Sequence, residues 1–263
     1  ISEDFGEKKG ANLSLLGFFF GLGALGMPLL LSVLDKWFDY RQTLFGLGFA
    51  ILIPIIFLMS IQYPLPKQGQ GMSLKIVGSL LRKRMLILLS FVLFFQSGWE
   101  SLVNNWTTTY LVEVKELADK TALFYLTLFV LAFTISRFSL RFILKKYSHV
   151  IVMYISTCTA LLGGVIMIIS YTLSMVVTSL LITGIGLAAA FPVILGIVGD
   201  RFTKYSGTAF GIVLTIALVG NMIVNFFIGI MTNIYGTEIL PQIYIVVGIC
   251  TTVLIFYSLK IID

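Results

Sequence analysis

One acidic residue, Glu100, lies well inside a long apolar stretch of the sequence. A charge at the centre of a bilayer costs about 2.5 to 3.5 kcal/mol on insertion scales, so such a residue needs a function or a partner. At about 100° per residue of helix, polar side chains share one arc around Glu100 and aromatic ones the arc beside it. The polar arc holds Gln96, Glu100, Asn104, Thr107 and Leu111, and the aromatic arc holds Trp99, Val103, Trp106 and Tyr110.

These two arcs suit a sugar or a similar small polar solute. Amides and carboxylates hydrogen-bond to hydroxyls, and aromatic faces pack on the C–H face of a ring. The alternative is that Glu100 and the Asn residues pair with neighbouring helices and only fix their packing. We favour solute contact for Glu100, because ionisable groups inside membranes are functional candidates by default.

A second polar strip includes Asn221 and Asn225, which are four residues apart, and continues through Gly229 and Thr232. This spacing places them on one helical face, which we predict to line a solute cavity. Hydrogen bonds between helices, without any contact to solute, remain the alternative.

Charged residues near segment ends form a third group of candidates. Arg137 precedes the end of the fourth apolar segment, and Asp200 and Arg201 close the sixth. We consider gating pairs at both places, although a lipid-headgroup role is the interpretation that the sequence favours for the basic side chains. Small-residue pairs predict close helix packing, and two prolines predict bends: they are Gly17 with Gly21, Gly207 with Gly211, and Pro28 and Pro192.

The elements that must position these residues are membrane helices. Of 263 residues, 58% are apolar and 11% are charged, which excludes an ordinary soluble domain. The apolar runs lack the alternation of barrel strands, so the fold class is all-α, a polytopic membrane helical bundle. Eight runs are long enough to span: 12–34, 42–64, 85–112, 121–143, 149–171, 174–199, 207–232 and 239–261.

In a membrane protein a net charge of +6 is explained first by the orientation of the chain in the membrane, so we predict no nucleic-acid binding. With the amino terminus in the cytoplasm, thirteen of the 18 Lys and Arg residues lie on that side and four on the other. Positive flanks resist translocation, so both ends of the chain are predicted to be cytoplasmic. We expect a bacterial inner membrane.

The segments divide into two groups. Residues 66–84 form the longest loop, which is basic and contains Pro66, Gly69 and Gly71. We therefore predict that 1–65 are the last two helices of an incomplete amino-terminal bundle, 66–84 a cytoplasmic linker, and 85–263 a six-helix bundle. The chain opens with Ile1 and no initiating Met, so we expect a fragment.

Three stretches resemble the major facilitator superfamily, and within it the fucose/galactose/glucose proton symporter group. Asn12 to Leu31 is similar to that group's fifth helix, and Gln96 to Leu111 to its seventh. The sequence from Ala190 through Ser206 to Asn221 and Gly229 is similar to helices ten and eleven. The resemblance implies eight of twelve transmembrane helices, numbers five to twelve, with the proton-linked carboxylates of the group in the four preceding helices.

The function predicted is secondary active transport of a small polar solute, a sugar, by alternating access and with protons. The alternative is an integral-membrane lipid or polyprenyl transferase, which would need a catalytic constellation. With one histidine, no P-loop and no Rossmann glycine pattern, we expect no enzyme, no cofactor and no metal site. A channel would need a filter loop or a charged ring, and neither is visible. The partners expected are the solute, protons and the bilayer. The oligomeric state stays open, with a monomer as the simplest expectation.

Overall fold

The computed structural model describes residues 9–34, 37–62 and 74–262, and these residues form helices and connecting turns without any strand. The all-α fold class is therefore confirmed. The helices are α1 (Lys9–Leu34), α2 (Tyr40–Ser60), α3 (Leu74–Leu81), α4 (Arg84–Glu113), α5 (Asp119–Ile143), α6 (His149–Ile168), α7 (Leu173–Leu187), α8 (Ala190–Arg201), α9 (Ser206–Tyr235) and α10 (Leu240–Ile262).

In the described part of the chain, seven helical stretches are long and apolar enough to cross a membrane. They match the second to eighth predicted segments, with α7 and α8 together making the sixth. The first predicted segment is the 26-residue helix α1, which includes the shorter apolar stretch Leu13–Gly26. Each predicted segment is thus helical, and most bounds agree within a few residues.

The sixth segment is broken where the sequence predicted a continuous helix. The chain leaves α7 after Leu187, turns at Ala188 and Ala189, and enters α8 at Ala190. Pro192 explains the break, because proline has no N–H to donate to the carbonyl of Ala188 and its ring crowds that oxygen. The expectation of a bend at Pro192 therefore holds in a stronger form, as an interruption of the helix.

Side chains from two other helices donate hydrogen bonds to backbone carbonyls at this break. Gln96 of α4 donates from Nε2 to the carbonyl of Leu187 at 3.2 Å, and Ser156 of α6 donates to the carbonyl of Gly186. A buried carbonyl without a donor would cost free energy inside the membrane. The interruption is consequently built into the packing of three helices.

The stretch 66–84, which we predicted to be a linker, contains a helix that its polar composition did not predict. In α3, Leu80 is buried and Ile76 packs against the same core, while Leu74 is exposed. Helix α3 lies against α4 and α9. An apolar face at helical spacing thus docks the end of the linker on the bundle. Residues 63–73 lie outside the described residues.

The core of the molecule is centred on α4, which packs against α9, α10 and α5. Two glycines allow the close crossing of α4 and α9. A Cβ added at Gly220 would lie 2.6 Å from the Cα of Phe94, and one at Gly98 would lie 2.6 Å from the Cβ of Val224. Since real Cβ atoms do not come so close, the crossing requires glycine at both positions.

Helix α1 packs against α5 and α8. A Cβ at Gly21 would lie 2.9 Å from the Cβ of Thr134, and one at Gly17 would lie 2.9 Å from the Cδ of Arg137. The predicted packing role of Gly17 and Gly21 is therefore confirmed. The same prediction is wrong for Gly207 and Gly211, where no described atom lies within 4 Å of an added Cβ.

Candidate functional site

Glu100 faces Arg137, a basic residue that the sequence places within the fourth apolar segment. The Nη2 atom of Arg137 lies 3.5 Å from Oε2 of Glu100, and the two side chains are 8% and 17% exposed. The guanidinium carbon lies 4.1 Å from the centre of the Phe133 ring. Opposite charges and an aromatic face together lower the cost of placing both ions in a membrane.

Helix α1 covers this ion pair. Ser14 donates a hydrogen bond to the backbone carbonyl of Arg137, and the aliphatic part of the Arg137 side chain runs past Gly17. Nε of Arg137 is buried and has no hydrogen-bond partner among the described residues. The pair therefore lies between α4 and α5, with α1 against the Arg137 side chain.

Asn225 is the centre of a hydrogen-bond cluster between α4 and α9. Its Nδ2 donates to Oγ of Ser101 at 2.5 Å and to the backbone and side-chain oxygens of Asn221 at 2.8 and 3.1 Å. Its Oδ1 accepts from Nδ2 of Asn105 at 3.3 Å and from Nε1 of Trp106 at 3.2 Å. The structure thus brings together two of the predicted α9 residues and one of the predicted aromatic residues.

Two members of this cluster, Ser101 and Asn105, were not predicted as site residues from the sequence. Ser101 follows Glu100 directly, and Asn105 is four residues further on, so both share a face of α4 with each other. That spacing was a usable signal. The two residues lie outside the arc drawn around Glu100, which is why the arc alone did not select them.

Trp99 and Gln96 lie inside the bundle. Trp99 is fully buried, its ring centre is 5.1 Å from that of Tyr244, and Gly248 leaves space for its indole. Gln96 is buried and holds the carbonyl of Leu187. In this conformation both residues serve packing, Gln96 against α7 and Trp99 against α10.

Asn104, Trp106 and Tyr110 continue along α4. Asn104 is half-buried and donates to the backbone carbonyl of Glu100 at 3.0 Å, which leaves its Oδ1 for another donor. Trp106 and Tyr110 line a narrow cavity of about 40 Å³ that continues between α6, α7 and α10, where Thr183 and Tyr244 also contribute. The cavity is too small for a sugar ring, so in this conformation it adds water-sized space only.

Asp200 and Arg201 lie at the exposed end of α8. Both take part in contacts with other residues. Arg201 lines an open groove with Lys83, Arg84 and Lys204, and this groove is distinct from the surroundings of Arg137. The three predicted gating residues therefore belong to two places in the fold.

Solved structures with the same fold are membrane transporters. A major facilitator superfamily transporter, FucP, in the outward conformation matches with a TM-score of 0.73 and 20% identity, over 95% of this chain and 67% of that chain. The E. coli fucose:proton symporter FucP matches with a TM-score of 0.69 and 20% identity, over 95% and 68%. A bacterial homologue of the iron transporter ferroportin, in the outward-facing state, matches with a TM-score of 0.66 and 12% identity, over 98% and 67%.

These matches confirm the resemblance predicted from the sequence at the level of the fold: the chain has the helical architecture of major facilitator transporters and spans about two thirds of the length of those structures. No protein-family model matches the sequence, and no curated protein matches it.

Proposed function

We propose that the protein is a secondary active transporter that moves a small polar solute, a sugar, across a bilayer by alternating access and with proton coupling. The observation that carries this proposal is the Asn225 cluster between α4 and α9, beside the Glu100–Arg137 pair that α1 covers. It combines amides, a hydroxyl, an indole and a carboxylate on a transporter fold. These are the groups that recognise sugar hydroxyls and the apolar face of a sugar ring.

The mechanism of binding that we propose is an exchange of hydrogen bonds. Asn221, Asn225 and Trp106 satisfy one another in the structure, so a sugar can replace those bonds with its own hydroxyls at small net cost. Glu100 and Asn104 supply further acceptors, and Tyr110 extends the aromatic surface. Gln96 and Trp99 position α4 through their contacts with α7 and α10.

The contact of α1 with α5 and α8 is the seam that must open during transport. We propose that Arg137 gates this seam, because its side chain lies against Gly17 and its carbonyl accepts from Ser14. Asp200 and Arg201 would act as a second gate at the end of α8. On this scheme 1–65 and 85–263 belong to two bundles that rock about the solute, joined by 66–84.

The neighbours by structure differ in cargo. One is described as the major facilitator superfamily transporter FucP, one as the fucose:proton symporter FucP, and the third as a homologue of an iron transporter. We favour a sugar because the cluster is made of amides, hydroxyls and an indole, and the described residues hold no group of three or more His, Cys, Asp and Glu that could bind a metal ion. The bacterial inner membrane, with both chain ends in the cytoplasm, is the location that the basic loops favour.

Uptake into vesicles tests this proposal against a lipid or polyprenyl transferase. The full-length protein in proteoliposomes should take up radiolabelled monosaccharides from a panel that includes fucose, galactose and glucose. It should leave labelled lipid and polyprenyl phosphate unchanged. Turnover of lipid without any sugar uptake would contradict the transporter function and favour the transferase.

Asn225→Leu should lower sugar uptake about tenfold or more. The change removes a solute contact and leaves Ser101, Asn105 and Trp106 without their partner. Ser101 is buried, and an unsatisfied buried group costs about 1–3 kcal/mol. Asn233→Leu, on the same helix but exposed, is the matched control and should transport normally. Initial uptake rates at equal amounts of inserted protein provide the measurement, and a wild-type rate for Asn225→Leu would remove the cluster from the site.

A further inference from the structure

A basic groove lies at one end of the bundle, apart from the proposed solute site. It is an open groove of about 470 Å³ between the α3–α4 connection and the turn from α8 to α9. Four of its lining residues are cationic, and none of the described lining residues is acidic. The cationic residues are Lys83, Arg84, Arg201 and Lys204.

Two of these cations are held in place by tyrosines. The guanidinium of Arg84 lies 5.5 Å from the centre of the Tyr257 ring and donates to its hydroxyl. The ammonium of Lys204 lies 5.4 Å from the centre of the Tyr205 ring. Because these contacts use few of the donors, both groups keep N–H bonds for an anion in the groove. Asp200, which precedes Arg201, does not line the groove.

The groove lies at the ends of long apolar helices, and the ends of such helices meet the headgroups of a bilayer. It is lined at the start of α4 and just before α9, and both are long apolar helices. Helix α3 runs beside it with Leu74 86% exposed and Leu81 45% exposed, while Leu80 packs inward. A short helix with exposed leucines next to a basic cluster is typical of a segment that lies in the membrane interface.

We propose that this groove binds the phosphate of an anionic phospholipid, with the exposed leucines of α3 in contact with the acyl-chain boundary. The four cations attract the phosphate of a lipid whose headgroup carries no positive charge. A zwitterionic lipid would bring the positive group of its headgroup into the groove, and the cations would repel it. The site therefore selects phosphatidylglycerol over phosphatidylcholine. This inference does not depend on the solute that the protein carries.

Native mass spectrometry of the purified full-length protein in an equimolar mixture of phosphatidylglycerol and phosphatidylcholine, with identical acyl chains, tests the proposal. The wild type should retain phosphatidylglycerol preferentially. Each Lys near an anionic surface contributes about fivefold to such binding, so Lys83→Gln/Lys204→Gln should lower the preference by up to about 25-fold. The charge-conserving Lys83→Arg/Lys204→Arg should keep it.

Lys145→Gln/Lys146→Gln is the matched control, since it removes the same charge from another exposed loop and should leave the preference intact. Equal retention of both lipids by the wild type, or an equal loss of preference in the control, would overturn the proposal. Displacement of phosphatidylglycerol by glycerol 3-phosphate at similar concentration would identify a free phosphate as the occupant and overturn the assignment to lipid.

Discussion

Arg137→Leu should lower the free energy of unfolding by about 3–5 kcal/mol, because it leaves the Glu100 carboxylate as an unpaired charge among apolar helices. The pair is the contact that makes either charge tolerable there, with Nη2 and Oε2 3.5 Å apart and both groups largely shielded from solvent. Denaturation of the detergent-solubilised protein measures the effect.

The double variant Arg137→Leu/Glu100→Leu separates loss of the pair from loss of packing. Removing both charges should restore the stability to within about 1 kcal/mol of the wild type or above it, since a buried pair is often replaceable by apolar side chains. Lys120→Leu, at an exposed position of the same helix, is the single-charge control and should have a small effect. Wild-type stability of Arg137→Leu would show that the pair does not neutralise Glu100.

Glu100→Gln should leave membrane insertion intact, lower the stability because Arg137 loses its counter-charge, and impair solute binding or proton-linked accumulation. Glutamine keeps the shape and can still accept a hydrogen bond from Arg137, but it cannot titrate. Loss of a charge-assisted hydrogen bond to a sugar hydroxyl is worth about 1.5–3 kcal/mol, which corresponds to a fall in affinity of about ten- to a hundredfold. Asp119→Asn, an exposed acid at the start of α5, is the control and should behave as the wild type.

Two assays distinguish the roles of Glu100. If Glu100 contacts the sugar, exchange and uphill uptake should both weaken with the affinity while coupling is preserved. If it carries the proton, exchange should persist and accumulation against a gradient should fail. We expect the first result. Normal affinity and normal accumulation would leave only the packing role for Glu100.

The sequence was sufficient to predict the helices because each depends on its own residues. A run of about 20 apolar residues must be helical in a bilayer, whatever surrounds it. The break between α7 and α8 is different. Pro192 predicts a bend, but a complete interruption also needs donors for the freed carbonyls, and these are Gln96 and Ser156 from distant helices.

The sequence predicted which face of α4 carries the site residues, but it did not predict which side chains of other helices they contact. The spacing along α4 placed Gln96 and Trp99 near Glu100, yet small rotations decide which side chain faces which neighbour, and those two residues lie in the core. Arg137 is 37 residues from Glu100 on another helix, so no spacing rule joins them. The crossing that Gly98 and Gly220 permit sets the register of α4 on α9 and so brings Asn225 to Ser101 and Trp106.

Reversible locking of the α1–α5 seam tests alternating access most directly. A Cβ at position 21 lies 2.9 Å from that of Thr134, so a small outward shift of α1 brings Gly21→Cys/Thr134→Cys to the spacing of about 3.8 Å that disulfides have. Cys158 and Cys250 are first replaced by Ser to leave one reactive pair. Sugar uptake into proteoliposomes is then measured before oxidation, after it, and after reduction. We expect oxidation to abolish uptake and reduction to restore it, whereas transport by a fully cross-linked protein at the uncross-linked rate would show that this seam does not open during transport.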